Sequence, residues 1–277
     1  MFEFLDNLLN RKIPASAFTG NKIHPVVLLV LDGWGIAPAS PGNPITQAYI
    51  PTMNSFETQF PHGRLIASGE SVGLPANEVG NTEVGHLTLG AGRTILQDLL
   101  RINKPIEDES FHQNQAFLGA INHAKTHNSN IHLMGVVGTG RVHASADHIY
   151  ALLELCRRQG VSDRVYLHVF TDGRDSPPQN ARETVVALDT HMRANKLGVI
   201  ASICGRYFAM DRDRRWERTE VAYNVIVSGV GEQAESVSVA IERAYAAQKT
   251  DEFIPPTAIV ANNKPVGVVS DNDAVIF

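Results

Sequence analysis

Short apolar runs alternate with polar, helix-periodic stretches along most of the chain. "VVLLVL" at 26–31, "IHLMGVV" at 131–137, "VYLHVF" at 165–170 and "VIASIC" at 199–204 are too short for typical helices and rich in β-branched side chains. They are expected to be buried strands. Each leads into a polar or Gly-rich turn and then a helical pattern, with helices expected near 145–158, 179–195, 214–228 and 235–248. In the last of these, Val237, Val239, Ala240, Ile241 and Ala244 supply the apolar or small positions. The alternation predicts an α/β fold. No repeat or low-complexity linker interrupts it, and the segment before residue 24 shows no strand pattern. At the far end "DNDAVIF" reads as a strand beginning, so the chain is expected to stop mid-fold.

Composition narrows the partners. With 277 residues the chain is long enough for one large or two smaller domains. A formal charge of −5 and the lack of any Lys/Arg run leave no field for nucleic acid, so an anionic ligand must be gripped locally. The longest apolar run is far below the ~20 residues that cross a bilayer, so no membrane partner is expected. "MFEFLDNLLNRKIP" lacks the parts of a signal peptide. The 2 cysteines, Cys156 and Cys204, have no metal-type spacing, which suits buried thiols in a reducing cytoplasm.

Four polar clusters could carry chemistry, three of them just after apolar runs, where open α/β sheets bind ligands. "LLVLDGWG" sets Asp32 at the end of the first run, as a divalent-cation ligand or as a simple Asp-Gly turn. "VFTDGRDSPPQNAR" offers Asp172, Arg174 and Asp175 before "SPP", which reads as a helix start with proline in its first turn. These residues could hold a phosphate or carboxylate and a sugar-like hydroxyl, or form a salt-bridged turn. "CGRYFAMDRDRRWER" carries Arg206, Arg212, Arg214, Arg215 and Arg218 between Asp211 and Asp213, suited to a small polyanion or to a solvated helix start. "GNTEVGHLTLGAGR" places Thr82, Glu83 and His86 among Gly80, Gly85, Gly90 and Gly92. Thr82 there is either a hydroxyl nucleophile at the positive end of a helix or part of an ordinary helix N-terminus. His86 and His143 are open between structural and catalytic use.

Taken in order, "LLVLDGWG", "GNTEVGHLTLGAGR", "GRVHASADH", "TDGRDSPP" and "GRYFAMDRDRRWER" resemble the cofactor-independent (2,3-bisphosphoglycerate-independent) phosphoglycerate mutases of the alkaline phosphatase superfamily, from about residue 24 to the end. The resemblance implies an α/β chain in which 24–96 is the N-terminal part of a phosphatase-type metal domain. It makes 97–277 most of an inserted transferase domain, and 1–23 an extension of unknown role. It implies interconversion of 3-phosphoglycerate and 2-phosphoglycerate in glycolysis, through a phospho-enzyme and two divalent cations, usually manganese, with no 2,3-bisphosphoglycerate.

By position, Thr82 falls on the nucleophile, and Asp32 and Thr82 on metal ligands. His143, Arg174, Asp175, Arg206 and Arg212 fall on substrate contacts. Two departures stand out. The family's serine is Thr82 here, whose extra methyl stiffens χ1 and crowds in-line attack. The family's later half, with the remaining metal ligands, a lysine and two further arginines, lies beyond this sequence. The chain alone is therefore expected to be inactive, as the N-terminal half of an enzyme whose gene product is either longer or split, with a separate C-terminal half as a candidate partner. A non-catalytic phosphoglycerate-binding fragment is the alternative, and another metal-dependent phosphohydrolase of the superfamily ranks last.

Overall fold

The computed structural model describes residues 25–277, so the expected extension at 1–23 lies outside it. The described residues divide into two compact units, one ending at Arg64 and the other spanning 65–277.

In the first unit, the Trp34 N–H donates to the Leu31 carbonyl at 3.2 Å and Gly33 has φ 78°, which makes Asp32 part of a type II-like turn. Two short helices follow, α1 (Pro44–Gln47) and α2 (Pro51–Gln59), each opened by proline. The run 26–31 corrects the sequence reading. It is irregular chain rather than a strand, and it is exposed, Val26 by 95% and Leu28 by 78%. A strand needs a neighbour for its N–H and C=O groups, and among the described residues of this unit there is none.

The second unit is built on a seven-stranded sheet of β1 (Ile131–Val137), β2 (Val165–Thr171), β3 (Val199–Gly205), β4 (Glu232–Ala234), β5 (Thr257–Ala261), β6 (Lys264–Pro265) and β7 (Ala274–Ile276). Its order is β4-β5-β3-β2-β1-β7, with β6 on β5. The expected runs at 131–137, 165–170 and 199–204 are the central parallel strands, and the closing run is β7, parallel to β1. β5 lies antiparallel to β3.

The helices of this unit are α3 (Thr82–Ala91), α4 (Asp98–Glu107), α5 (Gln115–His127), α6 (Ala146–Arg158), α7 (Ala181–Asn195), α8 (Arg206–Ala209), α9 (Trp216–Ser228) and α10 (Val237–Ala246). On one face Leu133, Leu167 and Val169 pack with Leu153, Leu188, Met192 and Ile241. On the other, Phe170 and Cys204 meet Ala222, Val225 and Ile226 of α9. In α10, Val237, Ala240, Ile241 and Ala244 are buried as expected, whereas Val239 is 42% exposed. Both cysteines are free and buried, and burial pushes each thiol up to about 12.

A polar chain crosses the buried sheet. Ser202 Oγ lies 2.8 Å from His168 Nδ1, His168 Nε2 lies 2.9 Å from His132 Nδ1, and His132 Nε2 lies 3.2 Å from Asp273 Oδ2. One set of neutral tautomers satisfies every link: Ser202 donates to His168, His168 to His132, and His132 to the carboxylate. Burial holds His132 below its ordinary value against the pull of Asp273, and brings His168 down to about 3 with help from His132. The chain ties β3, β2 and β1 to the loop that enters β7.

Candidate anion-binding site

Three neighbouring parallel strands end at one edge of the sheet, and the segments leaving them hold five of the sequence-derived residues. β1 leads to His143, β2 to Arg174 and Asp175, and β3 to Arg206 and Arg212. This is where βαβ geometry leaves backbone and side chains open to a ligand.

Asp172 is the hub. Its side chain is 3% exposed and its Oδ1 accepts from Arg206 Nη1 at 2.7 Å, from the Asp175 N–H at 3.1 Å and from the Arg174 N–H at 3.3 Å. Burial pushes this carboxyl up. Arg206, the Asp175 amide, Ser176 and the Arg174 amide together overcome it and hold it below the ordinary value. Arg206 Nη1 also donates to Asp175 Oδ2 at 2.6 Å. Burial opposes the Arg206 charge, yet its two carboxylate partners raise its pKa further. Both bonds use Nη1, so they do not consume the guanidinium's remaining donors.

His143 joins through Asp175, with Nε2 3.7 Å from Oδ2. The loop that carries it can come so near because of Gly140: a Cβ there would stand 2.7 Å from Asp172 Oδ2 and 2.8 Å from the Asp175 carbonyl. His143 also lines a wider, mostly apolar cleft of about 810 Å³ over β1 and β7.

Arg174, Arg206 and Arg212 line one smaller cleft of about 250 Å³, together with Tyr207, Arg218, Glu252 and neighbours. That volume lies below the ~300–1,000 Å³ of pockets for drug-sized ligands and suits a small polyanion. Arg174 is loosely held, with Nη1 4.0 Å from Glu252 Oε1. Guanidinium groups at this edge can grip carboxylate or phosphate oxygens in pairs, while Asp175 can accept a bond from a hydroxyl.

The helix start expected at "SPP" needs correction. Pro177 and Pro178 lie before α7, which begins at Ala181, and the Ala181 N–H donates to Asp251 Oδ2 at 2.8 Å. Asp251 is buried, takes a short bond from Tyr245, and is held above its ordinary value by burial. The positive end of α7 therefore already has an internal carboxylate. Sequence reasoning had no signal for Asp251, because it lies some 70 residues from the loop it supports. Thr171 bonds its carbonyl at 2.7 Å.

Thr82 is exposed at the first position of α3, and the cap is Asn81, whose side chain accepts from Val84 N at 3.1 Å. His86 Nδ1 lies 2.8 Å from the Thr82 carbonyl. Of the glycines around it, Gly80 is needed for close approach, since a Cβ would meet the Ala67 carbonyl at 1.7 Å, whereas Gly85 and Gly90 face open space. Thr82 is not among the residues that line the arginine cleft. Among the described residues no group of three or more His, Cys, Asp and Glu is arranged to hold a metal ion. No helix among them is long and apolar enough to cross a membrane.

The fold is an α/β sheet whose strand ends bring arginines and carboxylates around one small cleft. The comparisons give its family. The family model described as "BPG-independent PGAM N-terminus" matches residues 102–277. A 2,3-bisphosphoglycerate-independent phosphoglycerate mutase of Moorella thermoacetica is 48% identical over 92% of this chain and 49% of its own length. One from Chloroflexus aggregans is 52% identical over 92% of this chain and 47% of its own length. A crystal structure of Leishmania mexicana phosphoglycerate mutase at low cobalt concentration aligns with a TM-score of 0.68 and 32% identity, covering 89% of this chain and 47% of that one. The chain belongs to the 2,3-bisphosphoglycerate-independent phosphoglycerate mutase family, and it spans about half the length of the curated relatives it matches.

Proposed function

We propose that this chain supplies the substrate-holding half of an enzyme that interconverts 3-phosphoglycerate and 2-phosphoglycerate in glycolysis. The observation that carries the reading is the cleft shared by Arg174, Arg206 and Arg212, with Asp175 bonded to Arg206 and His143 beside Asp175. In this reading the arginines hold the phosphate and carboxylate. Asp175 accepts a bond from a glycerate hydroxyl, and His143 donates a proton or a hydrogen bond. Residues 97–277 act as the transferase domain, and 24–96 belong to a phosphatase-type domain.

Thr82 is the hydroxyl that takes the phosphoryl group and returns it to the other carbon. Its place at the start of α3 favours negative charge there. Asp32 and Thr82 are this chain's donors to a site for two divalent cations, most simply manganese; the Leishmania relative was studied with cobalt. Such cations supply a lowered hydroxyl pKa and charge neutralisation. One carboxylate and one hydroxyl do not fill that site, since each cation takes roughly four to six ligands. The other donors belong to a C-terminal half, in the cytoplasm, where Cys156 and Cys204 stay reduced. No 2,3-bisphosphoglycerate takes part.

The test is reconstitution. The chain, mixed with the C-terminal half of the Moorella relative and manganese, should convert 3-phosphoglycerate to 2-phosphoglycerate, and Thr82→Val should abolish it. Robust binding of 3-phosphoglycerate without any turnover in the mixture would instead favour a non-catalytic binding fragment. That second reading draws on the same cleft, which lies wholly within the second unit.

A further inference from the structure

We propose that Arg218 is the positioning residue for Arg212, and so sets the grip of the cleft on its anion; this rests on the function proposed above. Arg212 sits in the connection between α8 and α9, flanked by Asp211 and Asp213. Arg218 Nη1 holds both flanking carboxylates, Asp211 Oδ1 at 3.1 Å and Asp213 Oδ2 at 3.5 Å. Asp211, 2% exposed in its side chain, uses its other oxygen to accept from the Arg215 N–H at 2.8 Å. The Arg218 guanidinium also stacks on Tyr207, 4.0 Å from the ring centroid, and Tyr207 follows Arg206 in α8.

One planar cation therefore joins α8, the connection and the first turn of α9. It fixes the backbone on both sides of Arg212. The connection is tightly bent, with Arg214 at φ 60° in the left-handed region, so it needs such a restraint. Arg206 has no such need, because two carboxylates hold its own head. A lysine at 218 would keep the charge but lose the flat stack and the forked geometry.

The experiment titrates 3-phosphoglycerate by calorimetry into the unaltered chain, Arg218→Lys, Arg212→Ala and the double variant, each first shown to be folded by its thermal midpoint. Arg218→Lys should weaken binding about tenfold, as Arg212→Ala does. The double variant should be no weaker than Arg212→Ala, because a positioning residue has nothing left to position. Losses that multiply would overturn the proposal, since Arg218 would then act on the ligand by itself; so would unchanged binding by Arg218→Lys.

A second readout needs no ligand. Amide exchange at Arg215 should speed up roughly tenfold in Arg218→Lys as the bond to Asp211 loosens, and an unchanged rate would overturn the clamp. Failure of the unaltered chain to bind 3-phosphoglycerate would refute the proposed function, and exchange would then decide the clamp on its own.

Discussion

Acidification should destabilise this protein before most of its carboxylates protonate, because of the histidine pair inside the sheet. His168 is pulled from 6.5 to about 3 when folded, and His132 moves the same way. A histidine whose folded pKa is depressed stays neutral in the native state and takes a proton only on unfolding. Its contribution is complete above pH 6.5 and fades as pH falls toward the folded value. Going from pH 8 to pH 5 crosses about 1.5 units below the unfolded value, so His168 alone costs ~2 kcal/mol at ~1.36 kcal/mol per unit. His148, lowered by burial, adds in the same direction. Urea unfolding followed by circular dichroism at pH 8, 7, 6 and 5 measures the loss. His168→Gln, which retains hydrogen-bonding capacity but cannot titrate, should flatten it by about 2 kcal/mol. A wild-type stability that is constant to pH 5, or one that falls in parallel with the variant, would show that the buried histidines do not set the acid sensitivity.

Three further outcomes are expected. The purified chain alone should show no mutase activity with manganese in a coupled assay free of contaminating mutase, because Asp32 and Thr82 cannot hold the cations by themselves. Leu167→Ala, at a fully buried position of the central strand β2, should lower stability by about 2–5 kcal/mol in the same urea titration. Gly205→Ala would set a Cβ 2.3 Å from the Glu252 carbonyl at the end of β3, so it should shift Arg206 and weaken 3-phosphoglycerate binding measured by calorimetry.

The central fold was legible because β1, β2 and β3 are buried on both faces and therefore read as continuous apolar runs, with amphipathic helices between them. The same rule failed at 26–31, where apolar residues have no neighbouring strand among the described residues of their unit and stay exposed. β4, β5 and β6 escaped notice because they are short and lie in mixed sequence. The arginines were visible as a cluster, but their order along the chain does not reveal that Arg206 is buried between two carboxylates while Arg174 and Arg212 stay exposed. Asp172 was named with Arg174 and Asp175, but its role as hub depends on its contact with Arg206 at the end of the next strand, which only the folded register creates. Asp251 and Glu252 reach the site through a segment that follows α10, which no local motif marks.

Anion capture by the arginine cleft is what the proposed function requires first. Calorimetric titration of 3-phosphoglycerate should be run with the chain, Arg174→Ala, Arg212→Ala and Arg206→Lys, the last chosen because removing that charge outright would strand Asp172 in the interior. Weak binding is predicted. Each lost charged contact, at about 1.5–3 kcal/mol, should reduce it by one to two decades, and binding should weaken further as salt rises. Equal, salt-insensitive heats for all four proteins would contradict the account and reduce the cluster to a solvated helix start.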